Sequence, residues 1–465
     1  MLQIASQRPV LFWTVGALIV MLIVVSTAGT VWALHYVKDE GIADGVWAGP
    51  WELGGLTREQ AAELIDTNFG KAQNKPILLE YMGRKWSILP GEVGVQLNTE
   101  TVVDAAYAVG HTGNIWRKIS ERRQAAEKLI YLQLPITVNK DKLMAYLTVL
   151  KSEIDRPAMD AWLIWNQKSG VQITPHQTGR ILELDKLVGQ IGDVTLRDRN
   201  RRIYLPVQQI DPDITYDELA GFDFGNVVAQ YSTVFDPKNA NRSHNVAIAA
   251  YAIDKTLLRP GDVFSFNESV GLRVAEKGYR EAQVLVADEL VPGIGGGVCQ
   301  VSTTLFNAVL LADLRIVKRT NHSRPVAYVP LGQDATVADN YIDFQFMNNT
   351  IQPLYLITEV SGKNLTVRLL GPGQLGPNQN KKKVKVTSNV IQEIPFGELV
   401  ETDPTLPPGE RHVEKNGGLG YRMEMWRQVT IDNVIVKKEL LARFQYRPVA
   451  TLIKVGPENE NRDVQ

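Results

Sequence analysis

From Val10 to Val37 the chain carries no Asp, Glu, Lys or Arg, and this uncharged run limits what the rest can be. The stretch LFWTVGALIVMLIVVSTAGTVWAL is long enough to cross a hydrocarbon core, which takes ~20 apolar residues as a helix. That length argues against a buried core helix. The apolar core of a cleaved signal is usually only ~7–15 residues, so the run reads as a retained anchor. Small residues near its end (Ser26, Ala28, Gly29) keep a cleaved signal as the alternative. Arg8 precedes the run, while Lys38, Asp39 and Glu40 follow it. Arg8 and the free amino terminus favour an N-terminus on the cytoplasmic side. Trp13 and Trp32 lie near the two ends, where interfacial aromatics belong. The expectation is a cytoplasmic tail over 1–9, a single transmembrane helix over 10–37, and the C-terminal bulk outside the cytoplasm on the cell-wall side.

The 465 residues allow two to four domains, and 44% hydrophobic with 22% charged residues is an ordinary globular balance. With a formal net charge of −1 and only Lys381-Lys382-Lys383 as a basic run, nothing calls for nucleic acid. Cys299 is the single cysteine, which excludes a disulfide scaffold and cysteine-rich zinc sites. The six histidines are scattered, so no metal and no cofactor is expected.

Residues 45–130 and 131–215 read as two copies of one α+β unit. WSILPGEVGVQLNTETVVDAA in the first answers to VQITPHQTGRILELDKLVGQI in the second, with Pro90/Pro175 and Gly94/Gly179 at the same spacing. Each copy reads as strand, Pro/Gly turn, short strand, helix, with a further helix before it. Thr57 and Gln60 form a capping box at the first such helix. In the second, Leu143, Leu147 and Leu150 share one face. The repeat and GVWAGPWELGGLTREQAAELI resemble the YoaR-like putative peptidoglycan-binding domain. That resemblance implies binding to cell-wall polymer; a spacer is the other reading.

Residues 220–372 form a compact block, in which Asn245 to Leu257 reads as a helix, with Ser243 as a plausible N-cap, followed by a turn at Pro260-Gly261 and the strand VFSF. The motifs LRPGDVFSFNESVG, GGGVCQVSTTLFNA, NHSRPVAYVPLGQDATV and YIDFQFMNN closely resemble the VanW family, named from a vancomycin-resistance gene cluster. The resemblance implies a cell-envelope role without specifying an activity.

Within this block Cys299 follows Gly295-Gly296-Gly297 and precedes a helical stripe of Val301, Leu305, Val309 and Ala312. A thiol at a helix N-terminus gains thiolate character, and free backbone N–H groups there can serve as an oxyanion hole. His322 opens the strand-like HSRPVAYV, Asp334 lies in the next turn and Asp343 in the strand YIDFQF. The order cysteine, histidine, polar residue is similar to papain-like and NlpC-type cell-wall peptidases. A Cys299–His322 dyad oriented by Asp343 or Asp334 follows, with Arg324 at a substrate carboxylate, Gln300 or Ser302 as further donors, and Ser323 among the substrate-binding residues. Against this stands a buried thiol that packs as a small hydrophobe.

Pro353–Val360 and Leu365–Leu370 read as a hairpin. GPGQLGPNQNKKK opens a linker over 373–385. Residues 386–458 are strand-rich, with Asp432-Asn433 as a turn, and residues 459–465 are a polar, disordered tail. Pro407-Pro408-Gly409, Gly417-Gly418, Gly420 and the ending KVG resemble the G-five module of bacterial surface proteins, which implies binding to N-acetylglucosamine-containing polymer, or a spacer.

The fold class is thus α+β multidomain: an N-terminal transmembrane helix, a duplicated α+β repeat, an α+β VanW-like domain and a β-rich C-terminal module. The functional readings are a membrane-anchored protein that binds peptidoglycan or a related wall glycan, a cysteine-dependent peptidase or acyltransferase acting on wall peptides, and a glycopeptide-resistance accessory factor. Partners are the wall glycan and the cell membrane; protein partners are left open.

Overall fold

The uncharged run forms one helix, Arg8–Val37. Its nineteen-residue apolar stretch, Trp13–Val31, is buried by none of the described residues, so that Leu18, Ile19, Met21 and Leu22 stand exposed. The computed structural model describes residues 8–37, 40–197, 199–286, 289–339, 341–372 and 382–457. The chain divides into two compact units, one of residues 1–159 and 178–211, the other of 160–177 and 212–465. The expected tail over 459–465 and most of the linker over 373–385 lie outside the described residues; Lys383 already begins a strand.

In the first unit, helix Arg58–Gln73 starts at the Thr57/Gln60 capping box. The hairpin Ile77–Tyr81 and Arg84–Ile88, the short strand Val95–Leu97 and the helix Thr99–Ala108 follow. The same order recurs as helix Lys140–Ile154, hairpin Trp162–Asn166 and Gly170–Thr174, strand Gly179–Leu182 and helix Leu184–Thr195. Val95–Leu97 pairs antiparallel with Ile136–Val138, and Gly179–Leu182 pairs antiparallel with Val207–Ile210. The two hairpins have different surroundings. Ile77, Leu79 and Ile88 join the core of the first unit with Leu143, Leu147 and Leu150. Leu163 instead packs with Leu219, Tyr355 and Leu370 in the second unit.

The second unit is built on a four-stranded antiparallel sheet in the order Asn226–Val234, Asn364–Gly371, Leu354–Ser361, Thr256–Leu258. Alternation along Leu354–Ser361 sends Leu354 and Leu356 to one core and Tyr355 and Ile357 to the other, so the sheet is covered on both faces. Helices Ala240–Ile253 and Val298–Leu311 cover the first face. The first of these starts earlier than its apolar stripe indicates. Asn239 is the N-cap, accepting from the Arg242 amide, and Ser243 lies inside the helix with its hydroxyl on the Asn239 carbonyl. The strand at VFSF stops at Ser265, whose side chain caps a short helix Phe266–Val270.

Among the described residues of 319–343 there is no long strand, and the strand expected at HSRPVAYV is absent. They run as an irregular strap held by the bridges Thr320–Thr336 and Ala338–Ile342, consistent with Pro325 and Pro330 having no N–H to give a ladder. Beyond the hairpin Leu354–Ser361/Asn364–Gly371, the C-terminal module has two three-stranded sheets. One holds Lys383–Ile394, Gly420–Ile431 and Val434–Tyr446; the other holds Glu398–Thr402, Thr451–Val455 and Arg411–Lys415. Asp432 and Asn433, at φ 50° and 66°, make the tight turn between Gly420–Ile431 and Val434–Tyr446. Met425 of the first sheet enters the same core as the helix Val298–Leu311, with Val386, Leu441, Ala442 and Phe444 against it.

Leu305 is fully buried at the centre of that core. Leu305→Ala should cost ~2–5 kcal/mol by loss of buried methyls and the cavity left behind. Urea unfolding of the full chain reads this as a lower midpoint at constant slope; an unchanged midpoint would show that the helix does not hold this core together.

Candidate active site

Val298 to Leu310 of the helix Val298–Leu311 are buried with one exception, Cys299, which is half-exposed. The helix is introduced by a glycine loop in which each residue has a local reason. Gly297, the N-cap, has φ +111°, and a Cβ there would come 3.0 Å from Arg242 Nη1. A Cβ on Gly296 would lie 2.5 Å from the Gln283 carbonyl oxygen. Asn245, fully buried, ties the loop to the neighbouring helix by donating to the Gly296 and Arg280 carbonyls. Two amides that sequence reasoning left free for an oxyanion are used in the turn: Val298 N–H donates to Gly295 and Gln300 N–H to Gly297.

The polar residues of the helix fall into two stripes at i, i+4 spacing. Gln300 and Thr304 face the strand Asn226–Val234. Gln300 Nε2 donates to Thr233 Oγ1 and the Val234 carbonyl, its Oε1 accepts from Arg242, and Thr304 Oγ1 pairs with Thr233 Oγ1 at 2.8 Å. Cys299, Thr303 and Asn307 face the strap. Thr303 Oγ1 exchanges bonds with the Ala335 carbonyl and amide, and Asn307 Nδ2 donates to Gln333. Gln300 therefore has no free group to offer a substrate, because one residue along a helix turns the side chain to another face. Ser302 is likewise fully buried, and its hydroxyl finds no partner among the described residues.

The strap brings His322 to the thiol. Cys299 Sγ sits 3.6 Å from Thr336 Oγ1 and 3.4 Å from the Val337 carbonyl oxygen. His322 Nδ1 lies 2.6 Å from Asp334 Oδ2, which also accepts from the His322 amide at 2.7 Å. The other oxygen, Asp334 Oδ1, accepts from Arg319 Nη2 at 3.3 Å and from the Tyr446 hydroxyl. Asp334 is fully buried and His322 nearly so.

Asp343 is committed elsewhere. Its carboxylate accepts from Ser265 Oγ, the Asn267 amide and Gln345 Nε2, and so pins the short helix Phe266–Val270. Arg324 is half-exposed and makes no hydrogen bond or ion pair among the described residues; Ser323 beside it gives its carbonyl to the Arg447 amide at 2.7 Å. Three residues with a part in the site gave no signal in the sequence. Arg319 lies with its guanidinium over the rings of Phe306 and Phe444. Tyr446 comes from the C-terminal module. Tyr328 lies near Thr303 and the thiol, and burial, then the Cys299 charge, raises its phenol well above the ordinary value.

Electrostatics favour the ion pair. Burial pushes the Cys299 thiol up, but hydrogen bonding to His322 and its charge, with the Val337 backbone and Thr336, bring it down to about 7. For His322, burial lowers the imidazole, while the Asp334 and Cys299 hydrogen bonds and charges raise it to about 9. Burial raises Asp334 as well, yet His322 and Arg319 hold it below the usual carboxylate range. Cys299 and His322 each shift the other in the sense that favours thiolate with imidazolium near neutral pH. Such a pair supplies a nucleophile, and a proton for a leaving group.

Comparison with known proteins places these residues. Family models match as VanW like protein over residues 241–370, putative peptidoglycan binding domain over 86–204, and G5 domain over 385–458. The chain is 40% identical over 194 residues to the uncharacterized protein YoaR of Bacillus subtilis, covering 42% of this chain and 63% of YoaR. It is 29% identical over 135 residues to the vancomycin B-type resistance protein VanW of Enterococcus faecalis, covering 28% of this chain and 49% of VanW. It thus spans less than two thirds of either relative. The G5 domain of an IgA1 protease aligns over 18% of this chain at 23% identity and a TM-score of 0.13, too low to carry structural argument. Cys299, His322 and Asp334 fall in the VanW match, Tyr446 in the G5 match.

A direct check is alkylation of Cys299 across pH in the folded chain. The rate should rise through about pH 7 in the native protein. Asp334→Asn should weaken the imidazolium and move that midpoint upward, and His322→Ala, which removes the largest influence opposing burial, should carry it to the free-thiol value of ~8.5 or beyond. A midpoint indifferent to both changes would exclude the ion pair.

The peptidoglycan-binding and G5 matches point to a cell-wall-associated protein outside the cytoplasm, and the chain is VanW- and YoaR-like, with a G5 module at its C-terminal end.

Proposed function

We propose that this protein is held in the cell membrane by the helix Arg8–Val37, binds peptidoglycan or a related wall glycan, and uses its VanW-like domain as a cysteine-dependent peptidase or acyltransferase on wall peptides. The anchor reading is supported by the nineteen-residue apolar stretch Trp13–Val31 of that helix, which is long enough to span a membrane and is covered by none of the described residues. Wall binding rests on the peptidoglycan-binding and G5 matches. Within residues 45–215 the recurring element order and the paired short strands support a duplicated unit.

The observation that carries the chemistry is His322, buried between the Asp334 carboxylate and a half-exposed Cys299. In the proposed reaction the Cys299 thiolate attacks a peptide carbonyl carbon. The resulting oxyanion collapses, the C–N bond breaks, and the His322 imidazolium passes its proton to the departing amine. Water, or an acceptor amine, then attacks the thioester while neutral His322 takes the incoming proton. The carbonyl leaves as acid or new amide, and the thiolate–imidazolium pair is restored. Arg324, half-exposed and uncommitted among the described residues, is the candidate for a substrate carboxylate.

The test uses full-length protein in detergent with purified peptidoglycan. Sedimentation with the polymer should survive Cys299→Ala, whereas release or exchange of peptide amines should fall by at least ~10³-fold, as when a covalent nucleophile is removed. Binding without Cys299-dependent turnover would leave a wall-binding protein with no peptidase; loss of both would sink the whole proposal.

A further inference from the structure

The C-terminal module meets the VanW-like domain beside the candidate dyad. Asn321 Nδ2 donates to the Gln445 carbonyl at 3.1 Å, and the Arg447 amide donates to the Ser323 carbonyl at 2.7 Å. The two neighbours of His322 are thus bonded to the two neighbours of Tyr446. Tyr446 is 1% exposed; its hydroxyl donates to Asp334 Oδ1 and accepts from the Gly332 amide at 3.1 Å. Phe444, two residues earlier on the same face of the strand, lies 4.5 Å from the Arg319 guanidinium, whose other ring neighbour is Phe306. Further along the seam, Arg427 of the module donates to the Leu314 carbonyl at 2.8 Å and pairs with Asp313.

We propose that Tyr446 is a positioning residue for His322: its hydroxyl fixes the carboxylate of Asp334, so the site of the VanW-like domain is complete only with the G5 module in place. The inference rests on the Cys299–His322 reading. The physical case is the geometry of one carboxylate. Asp334 Oδ2 is taken up by the amide and ring of His322. The orientation of that oxygen is set by what holds Oδ1, and Oδ1 has two donors, Arg319 and Tyr446. Arg319 is itself held by a ring from the module. The charged and titratable groups facing the pair are therefore Asp334, Arg319, Tyr446 and Tyr328, with Arg242 behind Gln300. Loss of the phenol oxygen frees the carboxylate to turn, weakens its bond to imidazolium, and returns the thiol towards its ordinary value.

The experiment is iodoacetamide labelling of full-length protein in detergent across pH, in which the single cysteine makes every label a report on Cys299. Tyr446→Phe keeps the ring and removes the donor. It should raise the labelling midpoint and slow labelling at pH 7 by about tenfold, the scale of one hydrogen bond to a charged group. Arg443→Ala, at an exposed ion pair of the same strand, should leave the profile unchanged. A wild-type profile in Tyr446→Phe, alongside a raised midpoint in His322→Ala, overturns the role of Tyr446 and leaves the dyad standing. A wild-type midpoint already at the free-thiol value overturns both. Should Tyr446→Phe fail to fold by thermal melting, Phe444→Leu decides: loosening Arg319 must shift the midpoint in the same direction, and no shift overturns the proposal.

Discussion

A fully buried carboxylate, Asp334, sets the conditions for the second unit. Removing such a charge from water costs several kcal/mol even after relaxation, and the cost is met only if its lone pairs are filled. The donors come from three places in the chain: the amide and ring of His322, the guanidinium of Arg319, and the hydroxyl of Tyr446. Strap and module must both be in register for the set to close. A missing donor leaves a charge without compensation in a low-dielectric interior, which is far more destabilising than losing a surface ion pair.

The central helix meets a related constraint. A helix with Gln300, Ser302, Thr303, Thr304 and Asn307 along it has no business inside a core unless those groups are paired. Their helical phase solves this for nearly all of them, sending Gln300 and Thr304 to a strand and Thr303 and Asn307 to the strap. The polar groups thereby fix the rotation of the helix about its own axis. That rotation decides which residue at the N-terminal end reaches the surface, and it is Cys299.

What was legible in the sequence follows from how local each signal is. The capping box at Thr57, the stripe Val301–Leu305–Val309 and the turn at Asp432-Asn433 depend on residues within one turn or hairpin, and the structure has them where pattern places them. Ser243 reads as the cap because the apolar stripe begins after it; the first turn of that helix is polar and shows no stripe, so the cap at Asn239 leaves no mark in the pattern. Asp343 and Asp334 could not be separated, since both follow His322 in irregular chain and only the path of the strap decides between them. Gln300 was misplaced because adjacency in sequence is not adjacency on a helix. Tyr446 carried no signal: its partner lies in a different module, and no periodicity connects a strand residue to a loop carboxylate so far away in sequence.

The same energetic reasoning bears on whether Cys299 has chemistry to do. A cysteine kept only for packing gains nothing from a charged histidine; it is most stable among apolar side chains, with its thiol protonated and inert. Here the apolar core supplies one wall, and the other is a histidine whose imidazolium is favoured by a buried carboxylate that itself needs an arginine and a tyrosine to be tolerated. An apolar substitute for that assembly would be as stable or more so. Stability therefore does not account for it. What it does provide is a thiol lowered to about 7, on the one residue in the first part of the helix that is not fully buried, beside a proton donor held in one orientation. That combination suits a nucleophile more than a packing residue, and it is the physical ground of the chemistry proposed for Cys299.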